Sequence, residues 1–280
     1  MYRARHLPDR DHLSVLTAVV LLAFALTRIL ELPTRTFSTN LLGSPLGVDI
    51  NGRALMMLLV AALISAGSDT VIRSHPALEA RPGRRTLRHW VLPGTTALVL
   101  AAVLNRAPDG PLWWLGLALS AVVLILVLMA EYVSVDPTDP GYEVAALGLT
   151  ALTYTLALVL FALLRSMSTR AVVVAPIGGL AAAALALRLI LLRTTNAGAP
   201  AGQALLYAAL VGLVTSQCLW ALNYWRITPS SAGLLAMIPF YLGVGLAQQQ
   251  ISGRLNARVW VEYGVVAALA LAIALIYALA

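Results

Sequence analysis

LWWLGLALSAVVLILVLMAEYVSVDPTDPGYEVAALGLTALTYTLALVLFALLR, residues 112–165, decides the fold. Two long apolar runs flank EYVSVDPTDPGYE (131–143), which holds four carboxylates and two prolines. A helix needs about 20 apolar residues to cross a hydrocarbon core, whereas a barrel strand alternates over about 10. These runs are helix-length and do not alternate. The acidic segment therefore reads as the turn between two membrane helices.

Composition extends that reading to the whole chain. Of its 280 residues 60% are hydrophobic and 11% charged, against about 45–50% and about 25% in soluble domains. Too little polar surface remains to face water, so lipid is the solvent, and lipid admits only helices or closed barrels. The expected fold class is all-α, a polytopic transmembrane helical bundle. Its net charge of +7 is carried by arginine alone, because the chain has no lysine. Retinal or pyridoxal Schiff bases and a P-loop are thereby excluded. The arginines lie mostly between apolar runs, which points to topology and anionic lipid and not to nucleic acid.

Nine spans are expected, roughly at 13–32, 54–72, 90–105, 112–133, 144–164, 171–192, 204–225, 232–249 and 259–279, in a single membrane domain covering 1–280. The first follows the basic segment MYRARHLPDRDH and reads as a signal-anchor. With the N-terminus inside, the inner segments hold eleven arginines (3, 5, 10, 73, 81, 84, 85, 88, 193, 254, 258) and the outer segments six (35, 53, 106, 165, 170, 226). That asymmetry places the N-terminus inside and the C-terminus outside. Arg28 and Arg188 are expected to snorkel from span ends. Trp90, Trp113, Trp114, Trp225 and Trp260 fall at span ends, as an interfacial belt requires. GYEVAALGLTALTYTLALVLFALLR (141–165) and GQALLYAALVGLVTSQCLWALNYWR (202–226) run in step, a faint internal repeat.

Little in these spans carries chemistry. Gln217, Trp220 and Tyr224 share one helix face, near Asn223, and Tyr154 sits on a neighbouring span. Together they could line a pocket for a headgroup or pigment, or supply interhelical hydrogen bonds. Arg28 and Glu31, and Arg258 and Glu262, are spaced to pair along a helix. His6, His12, His75 and His89 are expected outside the apolar cores, so haem ligation is not expected. Cys218 reads as a structural thiol. No cofactor is specified.

The acidic segment keeps two readings. Asp136, Asp139 and Glu143 could gather on a divalent metal, although Pro137 and Pro140 oppose a continuous helix there. More simply, Asp136 or Asp139 caps the following helix with proline at its first position.

LLGSPLG (41–47), EYVSVDPTDPGY (131–142), and NYWRITPSSAGLL (223–235) with FYLGVGL (240–246) together resemble an uncharacterised family of bacterial multi-pass membrane proteins. The resemblance covers most of the chain. It implies a bacterial integral membrane protein without assigned activity, and it carries over no site residues.

The functional expectation is a non-catalytic accessory, scaffold or ligand-binding subunit, partnered by membrane lipids and other membrane subunits. The alternative is an enzyme or transporter handling a lipid or isoprenoid. In that version Asp136, Asp139 and Glu143 would hold metal near Arg84, Arg85 and Arg88, or Asp49 would serve glycosyl transfer.

Overall fold

The computed structural model describes residues 10–29, 35–41, 44–50, 52–79, 86, 89–167, 170–194 and 201–279. In chain order its elements are α1 (Arg10–Ile29), β1 (Arg35–Leu41), β2 (Ser44–Ile50), α2 (Gly52–Arg73), α3 (Pro76–Glu79), α4 (Val91–Leu104), α5 (Pro111–Val133), α6 (Tyr142–Ser166), α7 (Ala171–Thr194), α8 (Ala201–Asn223), α9 (Pro229–Ile251) and α10 (Ala257–Leu279). Each expected span falls on one of these helices. Six of them, α2 and α5 to α9, are long and apolar enough to cross a membrane among the described residues. Two shorter apolar helices, Leu13–Thr27 and Val91–Leu104, accompany them. The chain is thus a helical, multi-pass membrane protein.

One element is not helical. β1 and β2 pair antiparallel from Arg35↔Ile50 to Leu41↔Ser44, which adds a hairpin to the expected all-α chain. Thr36, Phe37, Thr39, Val48 and Ile50 are residue types that favour extended backbone. The Arg28–Glu31 pair, Asp49 and Arg81, Arg84, Arg85 and Arg88 lie outside the described side chains.

The chain divides into two compact units within the acidic segment, Met1–Asp136 and Pro137–Ala280. In the first, α1 packs on α2, α2 on α4, α4 on α5, and α5 returns to α1. Phe24, Ile64, Ala97 and Leu124 fill the centre. In the second, α6, α7, α8 and α9 close a similar ring, and α10 lies against α9. Phe161 of α6 meets Phe240 of α9 edge-on at 5.8 Å between ring centres.

The start of α6 refines the capping expectation. Asp139 Oδ1 accepts the Gly141 N–H at 2.6 Å, and its carbonyl accepts the Tyr142 N–H at 3.0 Å. The α-helix proper begins at Tyr142, and Gly141 in front of it makes no side-chain cap. Pro140 explains the offset, since it disfavours helical backbone at the residue before it. Asp139 thus makes a capping-type bond ahead of α6. Glu143 is exposed in the first turn, where a carboxylate suits the helix dipole.

In the second unit, α7 and α8 approach through small residues. A methyl group added to Gly212 would lie 2.5 Å from the Gly179 carbonyl oxygen and 2.7 Å from Ala183 Cβ. Ser216 Oγ, one turn on, donates to the Ala175 carbonyl at 2.9 Å. Lipid gives helices no hydrophobic reason to associate, so close backbone approach and such bonds must hold them. Cys218 finds a related task. Pro239 lacks the N–H that would reach the Leu235 carbonyl, and the Cys218 thiol donates to that oxygen at 3.9 Å.

Gly212→Ala should therefore cost about 1–3 kcal/mol through overpacking, despite the better helix propensity of alanine. Gly202→Ala, on the same helix but with nothing within 4 Å of the new methyl, should cost nothing. Thermal unfolding of the two variants in detergent gives the comparison.

Candidate functional site

Helix α4 sets the problem that the first unit solves. Its 14 residues rise about 21 Å, short of a hydrocarbon core of about 30 Å. A crossing helix of that length leaves polar ends at membrane depth, where each unsatisfied group costs several kcal/mol. Neighbouring helices supply the partners.

At the N-terminal end of α4, Trp90 is held twice by α2. Its indole N–H donates to Asp69 Oδ1 at 2.9 Å, and its carbonyl accepts from Ser65 Oγ at 3.2 Å. Asp69 also accepts from Arg73 Nε at 2.5 Å and from the Thr86 hydroxyl. Arg73 Nη2 donates back to Thr86 Oγ1 at 3.2 Å. One carboxylate thus ties the end of α2, Thr86 of the following connection and the start of α4 together.

A second carboxylate does the same from α5. Glu131, 0% exposed, places Oε2 2.6 Å from Nδ1 of His89, 3% exposed. Ser134 Oγ lies 3.4 Å from the same carboxylate oxygen and donates to the Glu131 carbonyl at 2.8 Å. Beside it the buried ring of His75 packs on Tyr132 with centres 4.6 Å apart, and His75 Nδ1 accepts the Ala77 N–H at 3.1 Å.

His75 and His89 lie outside the long helices, as expected, but are buried in the first unit, His89 against Glu131 and His75 against Tyr132. Periodicity could not show this. One sign was available: Asp69 is a lone carboxylate within the second apolar run, four residues before Arg73, and a carboxylate at such depth implies a partner. Arg188 also departs from expectation, being 3% exposed and so buried rather than snorkelling.

The expected binding residues fall elsewhere. On α8, Gln217 is exposed, Trp220 is 40% and Tyr224 73% exposed, and Asn223 is half-buried. This face points out of its unit. Tyr154 of α6 is half-buried and stacks on Phe240 and Tyr241 of α9, at 5.9 Å and 5.5 Å. Ser216, next to Gln217, makes the interhelical bond described above.

Chemically, the network is a set of filled acceptors. Asp69 takes three donors, and Glu131 holds His89 and Ser134. Among the described residues no group of three or more His, Cys, Asp or Glu is placed to hold a metal ion. Asp136 belongs to the first unit, and Asp139 and Glu143 belong to the second.

Removing one partner of the buried pair should show its weight. Glu131→Leu is expected to destabilise by about 3–5 kcal/mol, because His89 keeps its burial and loses its acceptor. Adding His89→Leu should recover most of that loss. Thermal or denaturant unfolding of both singles and the double completes the cycle.

No curated protein and no solved structure matches this chain. The model of a family described as "Protein of unknown function (DUF5656)" matches residues 32–277.

Proposed function

That match covers most of the chain, so the protein belongs to the DUF5656 family, and within it we propose a non-catalytic accessory subunit of a membrane assembly. We further propose that it resides in the bacterial cytoplasmic membrane with its two units as one membrane domain. α1, α4 and α10 would join the other six to make nine crossings, with the N-terminus inside and the C-terminus outside.

The observation that carries this reading is the outward face of α8. Gln217, Trp220 and Tyr224 recur at i, i+3 and i+7 and are all exposed. An amide turned toward hydrocarbon is costly unless something accepts and donates to it. Polar side chains on membrane helices commonly meet a second helix through such bonds. The partner that fits is a transmembrane helix of another subunit offering a polar group opposite Gln217. The filled acceptors around Asp69 and Glu131 support a structural task for the buried network. The alternative, an enzyme or transporter for a lipid or isoprenoid, would use the His89–Glu131 pair, an imidazole oriented by a carboxylate as in general bases.

Gln217→Leu provides the test. In the purified protein it should change stability by no more than about 0.5 kcal/mol, as an exposed substitution does. In membranes it should remove a stoichiometric partner that wild type retains through mild-detergent purification. A photocrosslinking residue at position 217 should form an adduct with that same partner. Adducts with lipid alone, or a partner retained undiminished by Gln217→Leu, would overturn the proposal.

A further inference from the structure

Along the side of α9 nearest α8 and α10 the second unit leaves a trough. One cavity of about 510 Å³ is lined by Tyr207, Val211 and Val214 of α8, Gly243 and Ala247 of α9, and Trp260 of α10, among others. A second, of about 400 Å³, continues past Pro239 to Cys218, Trp225 and Leu271. Pro239 borders both. The trough follows α8 from Tyr207 to Leu222, a rise of about 22 Å, and reaches Trp225 just beyond the end of that helix. Small residues on α9 make the room, and α10, largely exposed, forms the outer wall.

The size selects the occupant. A second transmembrane helix, about 10 Å across and about 30 Å long, would fill roughly 2,000 Å³. The larger cavity, at about 510 Å³, is of the size that small ligands occupy. Its lining is hydrocarbon along the helices, and polar groups gather at one end. There Gln250 closes α9 and Trp260 opens α10, with the turn 252–256 between them.

That turn is fixed in shape. Gly253 has a φ of +65°, the left-handed backbone that ends many helices. Its N–H donates to the Gln250 carbonyl at 3.1 Å and the Arg254 N–H to the Gln249 carbonyl at 3.0 Å. This is the doubly bonded helix ending that favours glycine. It holds Arg254, exposed, next to Leu255 of the cavity lining. Arg258 pairs with Glu262 at 3.1 Å, and Arg254 is the other arginine between the end of α9 and the first turn of α10.

A hydrocarbon slot with an arginine in the turn at one end fits a molecule with an apolar chain and an anionic head. We propose that this trough binds one acyl chain of an anionic phospholipid of the surrounding bilayer, with the phosphate held at the Arg254 turn. The site borders the α8 face offered to a partner helix, Val214 and Ala221 lying one turn to either side of Gln217, so the Arg254 arm, which is remote from that face in sequence, separates the two readings.

Native mass spectrometry in detergent, with dioleoyl phosphatidylglycerol or dioleoyl phosphatidylcholine added, tests it. Wild type should retain one phosphatidylglycerol with about fivefold preference, the contribution of one arginine near an anionic headgroup. Arg254→Gln should bind both lipids equally. Val214→Phe, which fills the slot from its exposed rim, should retain neither, whereas Val265→Phe on α10 should behave as wild type. Equal retention of the two lipids by wild type would overturn the proposal, as would undiminished binding by Val214→Phe. Displacement of the phospholipid by equimolar farnesyl diphosphate would assign the slot to an isoprenoid and equally overturn it. So would a dimer crosslinked through position 214.

Discussion

A helix too short to cross the bilayer on its own organises the first unit. α4 has 14 residues, and the residues just before it, His89 and Trp90, meet carboxylates. The fold answers with carboxylates from two directions, Asp69 of α2 and Glu131 of α5. Each lies within a turn or two of its helix's C-terminal end. The ring of α1, α2, α4 and α5 closes around apolar contacts, but those contacts are non-directional. The two carboxylates fix which turn of α4 faces which neighbour, a role that buried polar groups fill in some proteins.

The second unit uses other means. Its helices meet through Gly179 and Gly212, where backbone approaches backbone. Bonds to main-chain carbonyls reinforce them: Ser216 to Ala175, Gln248 to Leu189 at 3.0 Å, and Tyr142 to Leu192 at 2.9 Å. None of these involves a formal charge. The first unit places ionisable groups at its helix ends, and the second combines small residues and neutral donors with Arg165, whose Nη2 donates to the Trp225 carbonyl at 3.1 Å. The outward polar face of α8 and the trough beside α10 both belong to this second unit.

The helices were legible in the sequence because an apolar run of membrane length has few other fates. Helix starts were less exact: the eighth span was expected from 232, whereas α9 begins at Pro229, after Thr228, whose hydroxyl accepts the Ser231 N–H. The candidate site was less legible. His89 and Glu131 are 42 residues apart, and no periodicity links the start of one helix to the end of another. Asp69 was readable as a misplaced charge, but its three donors were not. The hairpin at 35–50 was also missed, since its short extended segments lie between two much stronger helical signals. Within the second unit the bond from α8 to α7 is made by Ser216, one residue from Gln217, since one residue's shift turns a side chain about 100° around a helix.

The pairing of His89 with Glu131 is the contact on which this account rests. Solid-state NMR of the protein in lipid bilayers, with ¹⁵N-labelled histidine and ¹³C-labelled glutamate, reads it directly. A through-space correlation between His89 Nδ1 and the Glu131 side-chain carboxyl carbon, persisting in D₂O-equilibrated membranes, is the predicted result. A His89 ring without that correlation, exchanging as freely as an exposed imidazole, would contradict the account.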